Sequence, residues 1–260
     1  MKLFVFDRLR KALAHPLTRK LALDDPQTTC QRRCIIQEKG FLRSIYRNWY
    51  RLLVEHVPSG PGAVVEIGSG AGFLKDVFPG AIASEVFYTG WIDLVCDAMA
   101  MPFRADSLKA LLLVDTLHHI PDPVRFFDDA GRCVRSGGRC LMIEPWNTSW
   151  SRFIYRYFHH EPFDVDGGWQ IPGSGPLSGA NGALPWIFFE RDRVVFEDRF
   201  PFWQISSITV MMPLAYLLSG GLSCRMGFPV RCYSMVRRFE RLFEKSGNTG
   251  LFAFIWLDHA

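Results

Sequence analysis

The sequence predicts an α/β chain built on a doubly wound parallel sheet, and three features carry that expectation. From residue 63 onward short apolar runs alternate with helical stretches, a glycine-rich loop follows the first run, and four of the runs end in an acid. Strand and helix in alternation give parallel strands covered on both faces. Sheets of this kind bind ligands beyond the carboxyl ends of their strands. Those ends carry Glu66, Glu85, Asp115 and Glu144.

Ahead of the sheet, residues 1–57 read as a helical extension. The stretch from Asp24 to Pro58 gives one or two helices, with Pro26 near the start and Pro58 beyond the end. Phe41, Leu42, Ile45, Trp49 and Leu52 fall at helical spacing, and Arg43, Arg47 and Arg51 line a second face. That stripe reads either as a solvated face or as a contact with an anionic substrate or lipid surface. The remainder, 58–260, reads as one domain. Strands are expected at 63–67, 81–85, 110–114 and 139–144, with helices at 73–78 and 122–134, the second stopped by "SGG" at 136–138. Residues 145–189 break the alternation. They are aromatic and rich in Pro and Gly, as functional lids are. A helix at 188–200 and a strand at 203–212 follow, then a second insertion at 213–249 with a helix at 233–247, and a last strand at 251–257.

With 260 residues, 48% hydrophobic and 22% charged, the chain can bury one sizeable core. Twenty-two phenylalanines and eight tryptophans imply much aromatic surface that must be covered. The seven cysteines are scattered without CxxC pairs, which reads as reduced thiols in a cytoplasm. "MKLFVFDRLRK" is too short an apolar run for a signal peptide. The net charge of +4 is uneven, since residues 1–55 carry twelve Lys and Arg against five Asp and Glu. A local basic face follows rather than general nucleic-acid binding. The uncharged stretch 200–224 is long enough to span a bilayer, but its prolines, glycines, serines and glutamine argue against that.

The loop "VVEIGSGAGFL" restricts its own ligand. A triphosphate loop needs GxxxxGK[ST], which is missing. A dinucleotide loop needs GxGxxG, whereas here the spacing is GxGxG with Phe73 at the third glycine's place. Glu66, just before the loop, would repel a pyrophosphate and suits a cation instead. S-adenosylmethionine carries a sulfonium and an ammonium, and acids at the rim would hold them. Glu85, seventeen residues after Gly68, stands where a carboxylate accepts both hydrogens of a ribose diol. Asp97 could accept from an adenine amino group while Ala98 and Met99 pack on its face.

Three stretches, "VVEIGSGAGF", "CDAMAMPF" and "VDTLHHIPDPVRFFDDAGRCVRSGGRCLMIEP", together resemble the class I S-adenosylmethionine-dependent methyltransferases, in their small-molecule branch, over about residues 60–146. The resemblance implies a Rossmann-like seven-stranded sheet, mostly parallel with one reversed strand. It also implies S-adenosyl-L-methionine as cofactor, with contacts at Glu66, Gly68, Gly70, Glu85, Asp97 and Asp115. Ser69, Gly72 and Ala98 belong to the same candidate cofactor set. Ser136 stands where the family usually has proline, and Glu85 where aspartate is commoner, and neither removes a needed group.

His118 and His119 follow the fourth strand near the transfer site. His119 is the candidate general base, with packing or hydrogen bonding as its other reading. His159, His160, Glu161 and Asp164 form a tempting metal set, but adjacent histidines rarely share one ion, and no metal is expected. The Asn/Asp-Pro-Pro-aromatic motif of enzymes that methylate nucleic-acid bases is missing, its place taken by "DTLHHIPDP". The expected acceptor is therefore a small or lipid-linked molecule held between the insertions, with no nucleic acid and a peripheral membrane contact. Trp146, Trp150, Tyr155 and Trp169 would build its apolar wall together with residues 200–222. A catalytically silent protein of the same fold and, less favoured by Glu66 and the glycine spacing, a nicotinamide oxidoreductase are the alternatives.

Overall fold

The structure is a computed structural model that describes residues 24–158, 161–171, 175, 178–225, 227–244 and 248–260. Its strands are β1 Ala63–Ile67, β2 Ile82–Glu85, β3 Leu94–Val95, β4 Leu108–Val114, β5 Val134–Pro145, β6 Trp203–Met211 and β7 Phe252–His259. They form one seven-stranded sheet in the order β3-β2-β1-β4-β5-β7-β6. β1 to β5 run parallel, and β7 lies antiparallel to both of its neighbours. The expected sheet with one reversed strand is the one that forms.

Successive strand residues point to opposite faces, so each buried strand feeds two cores. On one face, α1 Pro26–Glu38 and α2 Gly40–Glu55 pack Ile36, Leu42, Ile45, Trp49 and Leu53 with Val64, Leu112 and Leu141. On the other, α3 Pro123–Cys133 packs Phe126, Phe127 and Ala130 with Val65, Leu111 and Leu113. Both α1 and α3 start on an Asp cap followed by proline. Asp25 accepts from Gln27 N–H at 2.8 Å and Asp122 from Arg125 N–H at 3.2 Å. α2 leaves Arg43, Arg47 and Arg51 exposed, the solvated face that the spacing allowed.

Several elements differ from expectation. The helix at 73–78 is a single 3-10 turn, Leu74–Asp76, because Pro79 and Gly80 leave no length for propagation. "SGG" at 136–138 does not precede the strand but lies inside β5. There the register steps from Leu108↔Val134 to Ala110↔Arg139, and Gly137 takes φ +71°. This is a bulge, and a glycine supplies its left-handed residue. Residues 188–200 divide into a π turn, Ile187–Arg191, and α5 Arg193–Arg199. In the first insertion, α4 Ser149–Phe158 forms where no period was evident. The second insertion holds α6 Ala215–Ser219 and α7 Tyr233–Glu244. Residues 200–224 thus contain β6 and α6, and among the described residues no helix is long and apolar enough to cross a membrane. All seven cysteines are free.

The many phenylalanines have a structural use. Phe127 is fully buried, with ring centroids of Phe188, Phe189, Phe196 and Phe200 at 5.6, 5.9, 5.1 and 5.5 Å. Edge-on pairs of this kind add to area burial. Phe127→Ala is expected to cost about 3–5 kcal/mol of stability, read as a lowered urea midpoint at unchanged slope.

Candidate active site

Three glycines shape the loop after β1, all with positive φ: Gly68 at +65°, Gly70 at +49° and Gly72 at +70°. Their reasons differ. A Cβ on Gly68 would run into the Thr116 side chain, and one on Gly72 into the Trp91 indole. A Cβ on Gly70 would meet nothing nearer than the Gly68 carbonyl oxygen at 3.9 Å. Bare backbone therefore faces open space at Gly70 alone of the three. The loop is fastened from outside. Ser69 N–H donates to the Ser84 carbonyl at 2.8 Å, and Trp91 Nε1 donates to the Gly70 carbonyl at 3.0 Å. Arg33, on α1, stacks its guanidinium 4.7 Å from both the Phe73 and Trp91 rings and donates to the Ala71 and Gly72 carbonyls.

The acids sit at the strand ends. Glu66, on β1, is buried, and neither of its carboxylate oxygens has a hydrogen-bond partner among the described residues; nor has Ser69 Oγ. Burial pushes the Glu66 carboxyl up to about 8, a rise the neighbouring Ser69 and Tyr50 hydroxyls only partly offset. Glu85 ends β2 with Oε2 accepting from Gly70 N–H at 2.9 Å and Oε1 from Val86 N–H at 2.8 Å. Burial raises its pKa against those two donors. Asp97 is exposed beyond β3 and accepts from Met99 N–H at 2.8 Å, while Ala98 and Met99 are half-buried against the core.

After β4 the chain turns sharply. Asp115 takes φ +57°, a left-handed conformation that costs a non-glycine residue and is found at functional sites. Glu144, fully buried at the end of β5, fixes the turn: Oε1 accepts from Thr116 N–H at 2.8 Å and Leu117 N–H at 2.7 Å, and Oε2 pairs with His118 Nδ1 at 2.8 Å. His118 Nε2 lies 3.6 Å from Glu161 and 3.9 Å from Asp115. Burial alone would make His118 neutral, but these carboxylates hold its pKa well above the usual value. His119 behaves oppositely. Its Nδ1 is 3.1 Å from the Gly179 carbonyl, and its Nε2 is 3.8 Å from Glu161 Oε1. Burial and then the charge on His118 lower its pKa to about 3, so it stays neutral. Asp115 is partly open to the cleft, and burial lifts it to about 6 against the pull of His118.

Three tyrosines wall this space. Tyr46 on α2, Tyr155 on α4 and Tyr216 on α6 are each raised first by burial and also by the charges of Asp115 and Glu161. Arg32 on α1 counters the same carboxylates and Glu85. Of the four residues expected as an aromatic wall, Tyr155 is buried and its hydroxyl pKa is raised by burial and by the charges of Asp115 and Glu161. Trp146 is buried in the core cluster beneath α3, Trp150 donates to the Pro213 carbonyl at 2.7 Å, and Trp169 packs on Phe188 at 4.4 Å. Their size draws them into the cores. His159 and His160 lie outside the described residues. Glu161 instead faces His118 and His119, and the donor atoms of these three lie within 4.8 Å of one another.

Sequence spacing did not single out Arg32, Arg33, Tyr46, Trp91, Thr116 or Tyr216, which reach the site from distant segments. Glu144 was visible only as one more strand-end acid. Against S-adenosylmethionine the residues fit. A buried carboxylate, Glu66, precedes a loop with open space over Gly70, and a second, Glu85, stands at the adjacent strand end.

Residues 76–142 match the domain model described as "Methyltransferase domain". No curated protein matches the sequence. Among solved structures, the chain is similar to a Streptomyces coelicolor geranyl diphosphate C-methyltransferase in complex with Mg2+, geranyl diphosphate and S-adenosyl-L-homocysteine (16% identity, 95% of this chain and 90% of that one, TM-score 0.52). It is also similar to a Thermotoga maritima SAM-dependent methyltransferase described as a possible histamine N-methyltransferase (14% identity, 90% and 99%, TM-score 0.52). A Haloferax volcanii chain solved with a methyltransferase activator aligns at 11% identity over 88% and 97%, TM-score 0.50. The match over residues 76–142, on a seven-stranded sheet of this topology, gives the chain a methyltransferase domain.

Proposed function

We propose that this methyltransferase acts on a hydrophobic or lipid-linked acceptor, and that its cofactor contacts are Glu66, Gly68, Ser69, Gly70, Gly72, Glu85, Asp97, Ala98 and Asp115. The observation that carries the reading is the cleft itself: carboxylates at the strand ends, bare backbone at Gly70, and three tyrosines near the carboxylates, Tyr46 and Tyr155 buried and Tyr216 half-buried. The cofactor, when bound, supplies a methyl group already activated by its sulfonium leaving group. The chain's own work is alignment and exclusion of water. Glu66 would take the ammonium and Glu85 the ribose diol, each by charge-assisted hydrogen bonds. Tyr46, Tyr155 and Tyr216 would hold an apolar acceptor against the carboxylates. His119 would present Nε2 to the acceptor's proton, with Nδ1–H tied to Gly179. A base whose conjugate acid has a pKa near 3 is weak, so Glu161, facing the same nitrogen, is proposed to share the proton.

Cofactor binding should be linked to pH through Glu66. Its folded pKa, about 8, lies above the ordinary 4.5, so the folded apoprotein holds a proton that the unfolded chain releases. Stability of the apoprotein therefore falls as pH rises from about 4.5 to about 8. A cationic ligand needs the ionised carboxylate, so affinity should rise up to about tenfold per pH unit and level off above pH 8. Calorimetry in buffers of different ionisation enthalpy should show proton release on binding, and Glu66→Gln should abolish the portion of the pH dependence due to this group. Equal pH dependence in both proteins would remove Glu66 from the ammonium site.

Two substitutions separate the loop's roles. Glu85→Ala should weaken cofactor binding by about 1–3 kcal/mol without unfolding the domain. Gly70→Val should abolish binding, since the new side chain fills the open space over the loop and strains a backbone held at φ +49°, a cost that a lowered melting temperature would register. Normal binding by either variant, measured by calorimetry, would move the site elsewhere.

The acceptor is tested by transfer of a labelled methyl group into a cell extract split into organic and aqueous fractions. Label in the organic phase is expected, and label confined to the aqueous phase would overturn a hydrophobic acceptor. His119→Ala and Glu161→Gln should each lower turnover by roughly tenfold or more while cofactor affinity stays near normal.

A further inference from the structure

Helix α7, Tyr233–Glu244, packs with Arg237, Glu240 and Glu244 inward. Glu240 is fully buried, and its Oε1 accepts from the backbone N–H groups of Leu214 and Ala215 at the start of α6. Arg237 is ion-paired with both Glu240 and Glu244, and Glu244 accepts from Met212 N–H at 3.0 Å. The outward side is apolar: Leu242 is 70% exposed, Met235 65% and Phe239 51%, with Phe243 exposed beside them. The spacing 235, 239, 242 puts three of these on one stripe. Just before the helix, Phe228 and Val230 are exposed as well. Interleaved with them stand Arg225, Arg231, Arg238 and Arg241, all exposed. Both acids of 225–244 are turned inward, so every charge this segment presents outward among the described residues is positive.

We infer that this face, residues 225–243, docks on an anionic lipid membrane. A large apolar stripe left in water needs a partner. Aromatic and aliphatic side chains that enter the interfacial region, ringed by arginines that meet lipid phosphates, are the composition of an in-plane amphipathic helix. A second copy is the wrong occupant, because a two-fold interface sets the same patch against itself and would oppose arginine to arginine. The basic character continues on α2, whose Phe41 ring meets Tyr233 at 5.2 Å and whose Asn48 donates to the Tyr233 hydroxyl, and which exposes Arg43, Arg47 and Arg51. The inference deepens the hydrophobic-acceptor reading and rests on it for its purpose, since it carries the cleft to where lipid-linked acceptors reside.

Flotation of the full chain with vesicles tests it. The protein should float with phosphatidylcholine vesicles that contain phosphatidylglycerol and stay behind with phosphatidylcholine alone. Raised salt should weaken the association. The Phe239→Ser/Leu242→Ser and Arg238→Glu/Arg241→Glu variants should each lower the bound fraction at least about tenfold. Both change exposed side chains, so melting temperature, cofactor binding and methyl transfer to detergent-dispersed lipid should match the parent. That last readout separates docking from the acceptor reading: variants that lose flotation but keep transfer support docking, whatever the acceptor proves to be. Absence of flotation, or equal flotation by the variants, would overturn the inference. So would a parent that sediments as a dimer dispersed by the Phe239→Ser/Leu242→Ser variant, or that binds polyglutamate beads in preference to the vesicles, which would assign the face to an acidic protein.

Discussion

Glu144 accepts three donors from one turn: the backbone N–H groups of Thr116 and Leu117 and the His118 ring. A carboxylate with no exposure is costly to bury unless its charge is answered, and here the answer comes from the residues that must be placed. Held this way, the turn puts Asp115 at the mouth of the cleft, presses Thr116 against Gly68, and leaves His119 bonded to Gly179 of the first insertion. The glycine loop after β1 and the histidine turn after β4 thus fix each other across the sheet edge. Gly68 has no room for a side chain because Thr116 occupies it, and Thr116 stands there because Glu144 holds its backbone.

The charges of the cleft follow from that placement. Asp115, Glu144 and Glu161 gather around the His118 ring, while Glu66 and Glu85 stand at the neighbouring strand ends and Arg32 answers Asp115 and Glu85. Burial resists ionisation of so many acids together, which is why Glu66, Glu85 and Asp115 are all raised. A cationic ligand relieves that resistance, whereas a pyrophosphate would add to it.

What was legible in the sequence is what local spacing encodes. β1, the glycine loop and the capped α3 follow from apolar period, left-handed glycines and Asp-Pro caps, all within a dozen residues. β3 has two residues and so no period to read. The expected helix after the loop had six residues before Pro79, too few to outlast a single turn. α4 was hidden because aromatic residues fill both of its faces. The contacts of Arg33 with Trp91 and of Glu161 with His118 and His119 join segments far apart in the chain, and no local pattern announces them. Tryptophans 146 and 169 misled for a related reason: an aromatic near a cleft in sequence is drawn into the nearest core that can bury it.

The two insertions solve a common problem with a common device. The first closes on a turn whose backbone N–H groups a buried acid holds, and the second is held by a buried acid of its own. Glu144 does this for the histidine turn on which Asn181 N–H closes, at 3.0 Å to the His118 carbonyl. Glu240 does it for Leu214 and Ala215, the start of α6. α6 in turn carries Tyr216, whose ring stacks on Trp49 at 6.0 Å and meets Phe252 at 4.9 Å. Because α7 gives Glu240 to that task beside Val236, its Met235, Phe239, Leu242 and Phe243 are left on the outside. The buried carboxylate that fixes one wall of the cleft is thus also the reason a stripe of Met, Phe and Leu faces outward. The outer stripe of α7 and Tyr216 on α6 share that one anchor, so whatever seats α7 also seats Tyr216.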